Sequence, residues 1–314
     1  GNIAGGFNKT NTKIALSHAA AFSKDPRFKI VGCVDPDKDK SKNFAKQWNI
    51  GSTFFSLEDC SKFSKNYDVI SICSPTDTHI CNIKEIFKLN PLLIFCEKPI
   101  SQKISETSFV ISESKKKSIH FAVNYNRRWD DNLNILKKEI TSNKRGSIRT
   151  IIGIYNKGLF NNGSHMIDTL RFLFGKLRIK YVGLPINDYN LNDPSIPFVL
   201  QADKNIHISI NCGNALDYSI FELQFIFEKG ILVMLDGGLF WLERKVVESC
   251  FFRGYLSVDK GTHKEGAYKN CMTNAVDNIW NVISNEAKLL SDGENALETQ
   301  IICEKISLAS KKLK

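Results

Sequence analysis

Apolar runs of strand length recur through the first third of the chain, and between them lie segments whose apolar residues return every three or four positions. The runs fall at residues 28–34, 69–73, 92–96 and 118–123, and the helix-period segments at 16–22, 38–48, 78–88 and 105–114. Continuous apolar strands alternating with amphipathic helices predict βαβ units, and hence a parallel sheet covered on both faces.

The pattern changes after Trp129. Strand-like segments then follow one another at 147–155, 179–182, 198–202, 206–211, 219–227, 231–235 and 240–246, with turns such as Glu228-Lys-Gly and Asp236-Gly-Gly between them. Such a succession predicts a large, mainly antiparallel sheet. One helix, 162–174, interrupts it and stops at Gly175, and two more, 274–290 and 295–312, close the chain. The expected organisation is an α/β domain over residues 1–122 and an α+β domain over 123–314. Phe221, Leu223, Phe225 and Phe227 share one face of their strand, Ile220 and Ile226 point to the other, and 231–235 is apolar throughout. A sheet apolar on both faces needs cover on both, and the few helices can cover one. A homodimer or homotetramer through the second-domain sheet is therefore expected.

Composition narrows the function classes. The chain has 314 residues, 42% hydrophobic and 24% charged, enough for two domains each with its own core. Its longest apolar runs are strand-sized, whereas a membrane span needs about 20 apolar residues, so no membrane partner is expected. Nine scattered cysteines read as small buried hydrophobes of a reducing compartment, pointing to the cytoplasm and to neither disulfides nor a metal site. The net charge of +10 comes mostly from lysines spread over helix surfaces. The dense run Lys115-Lys-Lys ends a predicted helix, where cations complement the dipole. An anionic small molecule drawn into a positive cleft fits this better than nucleic acid.

The chain opens with Gly1-Asn-Ile-Ala-Gly-Gly. Gly1 and Ala4 suit the last two positions of a Gly-x-Gly-x-x-Gly/Ala fingerprint, whose glycines let backbone N–H groups approach a pyrophosphate. On that reading Gly1, Asn2, Ile3 and Ala4 contact a dinucleotide, and the first strand and first glycine are expected to precede Gly1. Ile30-Val-Gly-Cys-Val-Asp35 then ends an apolar strand with the acid that accepts ribose hydroxyls. About thirty residues separate Ala4 from Asp35, more than the usual twenty or so, so the first helix must carry an extra loop. The competing reading makes Asp35-Pro36-Asp37 a turn. A carboxylate there repels a 2′-phosphate, which favours NAD over NADP.

Phe95-Cys-Glu97-Lys98-Pro99 closes an apolar strand with two opposite charges and a proline. With Ser17-His-Ala-Ala-Ala-Phe, Ser74-Pro-Thr-Asp-Thr-His79, Val123-Asn-Tyr-Asn-Arg-Arg-Trp129, Asn162-Gly-Ser-His165-Met-Ile-Asp168 and Asp292-Gly-Glu-Asn-Ala296, it resembles the glucose-fructose oxidoreductase / inositol dehydrogenase (Gfo/Idh/MocA) family over nearly the whole chain. The resemblance implies a Rossmann-type parallel-sheet domain followed by the antiparallel-sheet domain. It also implies an NAD-dependent oxidoreductase moving hydride between the cofactor and a carbinol of a sugar, cyclitol or nucleotide sugar. Ser74, Pro75, Thr76, His79, Glu97 and Lys98 join the expected cofactor contacts.

The chemistry accounts for the residue types. Negative charge develops on oxygen as hydride leaves, so a cation held there lowers the barrier, a role for Lys98. The hydroxyl proton needs an acceptor titrating near neutrality, and His165 is the candidate. The resemblance implies an acid four positions earlier, but Asn161 stands there, and an amide accepts no proton at neutral pH. Asn161, Arg127, Lys157 and Asp168 are candidate substrate contacts, with Arg128 a further cation suited to an anionic group; the three cations read equally as salt-bridge partners, and Asp168 as a residue that only orients its helix. Two alternatives stay open: a non-catalytic NAD-binding regulator, and a reductase acting on a non-sugar substrate.

Overall fold

A computed structural model of the chain describes residues 1–8, 13–63 and 66–313. It divides into two compact units, residues 1–129 with 269–297, and residues 130–268 with 298–314. The boundary expected at 122/123 thus lies at 129/130, and a late segment returns to the first unit. That segment is secured locally: the Val123 amide donates to the Ser291 carbonyl, and the Ser291 hydroxyl donates back to the Val123 carbonyl at 2.6 Å.

In the first unit a π-helical turn, Asn2–Gly6, is followed by α1 (His18–Lys24), β1 (Gly32–Val34), α2 (Lys38–Trp48), β2 (Ser52–Phe54) and α3 (Leu57–Phe63). Then come β3 (Val69–Ile72), α4 (Thr76–Leu89), β4 (Leu93–Cys96), α5 (Ile104–Lys116) and β5 (His120–Val123). The extra loop expected of the first helix falls largely on residues 9–12, which lie outside the described residues. Among the described residues the strands pair in parallel, as alternating strand and helix require, but they form two ladders, β1-β2 and β3-β4-β5, and Ala122 of β5 adds an isolated antiparallel bridge to Asp292. β4 is buried at all four positions, the expected state of a strand with helices on both faces. Capping sets the helix ends. The Asp37 carboxylate accepts from the amides of Asp39 and Lys40 to start α2, and Asn49 and Asn90 close α2 and α4 in the left-handed conformation. The helix Cys271–Ile283 belongs to this unit, its Met272, Ala275, Val276 and Ile279 packing into the same core as Leu93, Phe95 and Trp129.

The second unit comprises α6 (Asp131–Thr141), β6 (Ile148–Tyr155), α7 (Ser164–Phe174), β7 (Leu177–Val182), β8 (Ile186–Asn190), β9 (Asp193–Ser195), β10 (Phe198–Ala202) and β11 (His207–Cys212). Five more strands follow, β12 (Phe221–Phe227), β13 (Gly230–Leu235), β14 (Phe240–Glu248), β15 (Leu256–Val258) and β16 (Thr262–Glu265). The nine-stranded sheet runs β15-β14-β13-β12-β6-β11-β10-β7, with β16 on β14, and only the β6–β11 pair in it is parallel. β8 and β9 form a separate hairpin. One sheet face, with Leu223, Phe225 and Met234 fully buried, packs on Leu133 and Leu136 of α6 and on Met166, Ile167 and Leu170 of α7. Burying a phenylalanine such as Phe225 this deeply makes its replacement by alanine cost about 3–5 kcal/mol. Alternation along β12 and β13 places Ile226, Ile231, Val233 and Leu235 on the opposite, half-exposed face.

Candidate active site

Ligand-facing chemistry in an open parallel sheet collects at the carboxyl ends of the strands. Here the residues following β1, β3 and β4 are Asp35, Cys73-Ser74 and Glu97-Lys98-Pro99. At the end of β4 the Glu97 carboxylate is gripped from two elements. His18 Nε2, at the start of α1, donates to Glu97 Oε1 at 2.8 Å, and Asn124 Nδ2 donates to the same oxygen at 2.6 Å. The Glu97 amide continues the β3–β4 ladder by donating to the Ile72 carbonyl. His18 is buried, lies on the Phe95 ring with centroids 4.3 Å apart, and meets Ser71 Oγ through Nδ1 at 3.2 Å. Burial alone would depress its imidazole, but the Cys73 and Glu97 side chains override this and lift it to about 10. Burial likewise pushes the Glu97 carboxyl upward, and His18, Asn124 and the Lys98 charge outweigh it and hold it below the usual range. The pair is an imidazolium–carboxylate pair at neutral pH, with half-exposed Lys98 beside it.

His79, in the first turn of α4, is equally committed. It is buried, with Nδ1 at the Pro99 carbonyl and Nε2 at the Ser74 carbonyl, each at 2.9 Å. Its ring therefore ties the segment before α4 to the segment after Lys98. The His79 ring and Glu97 Oε1 are hydrogen-bonded within the protein, which gives both side chains a positioning role. Ser74 Oγ accepts from Thr78 Oγ1 at 2.8 Å and from Asn82 Nδ2 at 3.0 Å, while Pro75 precedes α4, which carries no side-chain cap, and Thr76 opens it.

The opening glycines divide the work in a way the fingerprint did not suggest. A Cβ at Gly1 would meet nothing nearer than the Cys73 carbonyl at 3.9 Å, so that backbone is open to close approach, and Asn2, Ile3 and Ala4 follow it in the helical turn. At Gly5 a Cβ would stand 2.4 Å from Trp48 Nε1 and 2.6 Å from the Phe44 ring, so this glycine serves packing. Asp35 takes the turn role and has one carboxylate oxygen left over. Its Oδ1 accepts the Asp37 amide at 3.0 Å as a turn residue, and among the described residues its Oδ2 meets no donor. A dinucleotide fits these groups: an open glycine backbone, a carboxylate oxygen at a strand end and an uncapped helix start. Arg127 and Arg128 lie in a short helical turn, Asn126–Trp129, and are buried. Arg128 Nη1 donates to the Leu290 carbonyl at 3.2 Å. Burial leaves the Arg127 guanidinium little surface for the substrate contact expected of it.

In the second unit, His165 is the second residue of α7 and is half-buried. Asn161 precedes it by one turn, in the π-helical turn Gly158–Gly163, and Lys157 enters that turn in the left-handed conformation at φ 66°. Asp168 is 1% exposed and accepts the Thr299 hydroxyl at 3.1 Å, which fits the helix-orienting reading of it and leaves little surface for a substrate contact. Sequence reasoning missed His18, Asn124 and the acceptors Asp188 and Asp193, although His18 lies within a stretch that carried the resemblance. Among the described residues, no group of three or more His, Cys, Asp or Glu could hold a metal ion, no helix is long and apolar enough to cross a membrane, and the nine cysteines are free thiols.

Residues 11–125 match the model of the GFO_IDH_MocA oxidoreductase family, NAD-binding Rossmann fold. The uncharacterized oxidoreductase YrbE of Bacillus subtilis is 30% identical over 135 residues, 43% of this chain and 39% of that protein. Inositol 2-dehydrogenase of Rhizobium meliloti is 31% identical over 142 residues, 44% of this chain and 41% of that protein. The matched stretch thus spans about two fifths of the curated relatives' own length. In fold, a crystal structure of an oxidoreductase from Agrobacterium radiobacter in complex with NAD+, L-tartaric acid and magnesium superposes with TM-score 0.76 at 12% identity, covering 95% of this chain and 93% of that one. The sequence match and the parallel strand pairings of the first unit agree: residues 11–125 carry the NAD-binding Rossmann domain of the Gfo/Idh/MocA oxidoreductase family.

Proposed function

We propose that the chain is an NAD-dependent dehydrogenase acting on a CH–OH group of a sugar, cyclitol or nucleotide sugar. Bound NAD supplies the hydride acceptor at its nicotinamide. Gly1 to Ala4 receive its pyrophosphate, Asp35 Oδ2 accepts ribose hydroxyls and disfavours a 2′-phosphate, and Ser74, Pro75 and Thr76 line the nicotinamide side. Lys98 offsets the charge that develops on the carbinol oxygen, and His165 takes the hydroxyl proton. Asn161 and Lys157 contact substrate hydroxyls or an anionic substituent.

The observation that carries this reading is the build of the β4 end. An imidazolium–carboxylate pair with a buried imidazole, and with Asn124 and His79 around it, fixes the peptide on either side of one half-exposed lysine. Such support is what a cation must have if it is to be preorganised for a transition state. Inositol 2-dehydrogenase among the relatives supports a polyol substrate. The test is NADH formation by the purified chain against cyclitols, free sugars and nucleotide sugars. Substrate-dependent NADH supports the reading. Tight NAD binding without turnover on any of them would favour a cofactor-binding regulator, the reading that Asn161 in place of an acid also favours. The half-exposed apolar sheet face of Ile226, Ile231 and Val233 supports a homo-oligomer, and nine free cysteines support a cytoplasmic setting.

A further inference from the structure

The first turn of a helix leaves amide donors without intrahelical partners, and side chains near in sequence usually satisfy them. α7 is preceded by glycine at its cap position, with no side-chain cap. Donors at the start of the turn that leads into it are satisfied from a distance, by one element. The Lys157 amide donates to Asp188 Oδ2 at 2.9 Å, and the Gly158 amide to Ser195 Oγ at 2.9 Å. The Phe160 amide donates to Asp193 Oδ1 at 2.8 Å, and the Asn161 amide to Asp193 Oδ2 at 2.9 Å. All three acceptors belong to the β8–β9 hairpin, more than thirty residues further along the chain.

The fit leaves no slack. Gly158 has φ +85°, and a Cβ on it would stand 2.3 Å from Asp193 Oδ2. A Cβ on Gly163 would stand 2.9 Å from the Tyr155 ring, whose hydroxyl donates to the Ile196 carbonyl at 2.8 Å and accepts the Ile196 amide at 3.0 Å. Asp188 is 1% exposed and also accepts the Ala215 amide at 3.3 Å. Amide bonds to carboxylates are charge-assisted and stronger than neutral ones.

We propose that the β8–β9 hairpin is the device that positions His165, with Asp193 its principal positioning residue. The inference rests on His165 being the proton acceptor. His165 follows Asn161 by one turn, so the angle at which α7 leaves the Asp193 clamp sets where the imidazole stands. Misplacement by about 1 Å costs on the order of a hundredfold in rate, which is the lever the clamp controls. The hairpin itself makes no chemical contribution.

The experiment compares Asp193→Ala, Asp193→Asn and His165→Ala in the full chain, on a substrate that gives turnover. Hydrogen exchange over residues 156–166 is read in the same samples. Asp193→Ala is expected to lower kcat on the order of a hundredfold per folded molecule, with KM for NAD and the position of the acid limb of the pH profile unchanged, because His165 is still present. Asp193→Asn keeps one acceptor and is expected to fall between it and wild type; it also serves if the alanine variant does not fold. Exchange should rise over 156–166 in both. Wild-type kcat in both variants, with His165→Ala inactive, would overturn the clamp and leave the histidine assignment standing. Wild-type turnover by His165→Ala would instead remove the reading on which the clamp depends.

Discussion

His18 and Glu97, 79 residues apart in the chain, meet through a 2.8 Å Nε2–Oε1 contact at the root of Lys98. Each holds the other in its charged form. The His18 imidazole is raised above its ordinary 6.5 to about 10, and the Glu97 carboxyl is lowered from its ordinary 4.5. A raised histidine adds stability that is complete below its unfolded value and is lost as pH climbs through the folded one. A lowered carboxylate adds stability that is complete above its unfolded value and is lost as pH falls through the folded one. The pair therefore contributes fully between about 4.5 and 6.5 and fades toward about 10. Melting temperatures of wild type and His18→Gln across that range should differ most in the acid window and converge as pH nears 10. A difference independent of pH would show that the ring acts through packing alone.

Cofactor choice should follow Asp35. With Oδ1 held by the turn and Oδ2 available, Asp35→Ser removes both a ribose acceptor and the charge that repels a 2′-phosphate. Calorimetry should show weaker NAD binding and improved NADP binding. Unchanged NAD affinity would reduce Asp35 to its turn role.

Gly5→Ala should destabilise the chain by about 1–3 kcal/mol, since the added methyl has to displace the Trp48 and Phe44 rings. Urea unfolding measures it. Gly1→Ala should leave stability nearly unchanged, because nothing stands closer to its Cβ position than 3.9 Å.

The sheet face carrying Ile226, Ile231 and Val233 should be covered by another copy. Light scattering is expected to return a dimer or larger at micromolar concentration, and Ile231→Lys to shift it toward monomer. A wild-type monomer would contradict this.

Local patterns made much of the molecule legible. α2 and β10 lie where their periods and turn residues place them, and the charged end of β4 and the histidine opening α7 stand out because strand and helix boundaries are local features. β2 is too short to carry a period, α6 went unread between the two patterns, and β8 and β9 are polar segments whose use lies in what they accept. The return of 269–297 to the first unit depends on Ser291 meeting Val123, 168 residues away. His18, Asn124 and Asp193 act on partners 79, 27 and 32 residues distant. No periodicity encodes such pairings, so the supporting residues of the site stayed hidden while its candidate reacting groups did not.

The assignment of Lys98 and His165 is tested most directly by steady-state NADH formation on a substrate that gives turnover, measured for wild type, Lys98→Ala and His165→Ala across pH. The account predicts that each variant loses kcat by about a hundredfold or more while NAD affinity stays within about twofold, and that His165→Ala flattens the acid limb of the profile. Asn161→Asp, which restores an acid one turn before the histidine, should raise activity on simple polyols. Near-normal turnover by His165→Ala, with the acid limb intact, would contradict the account.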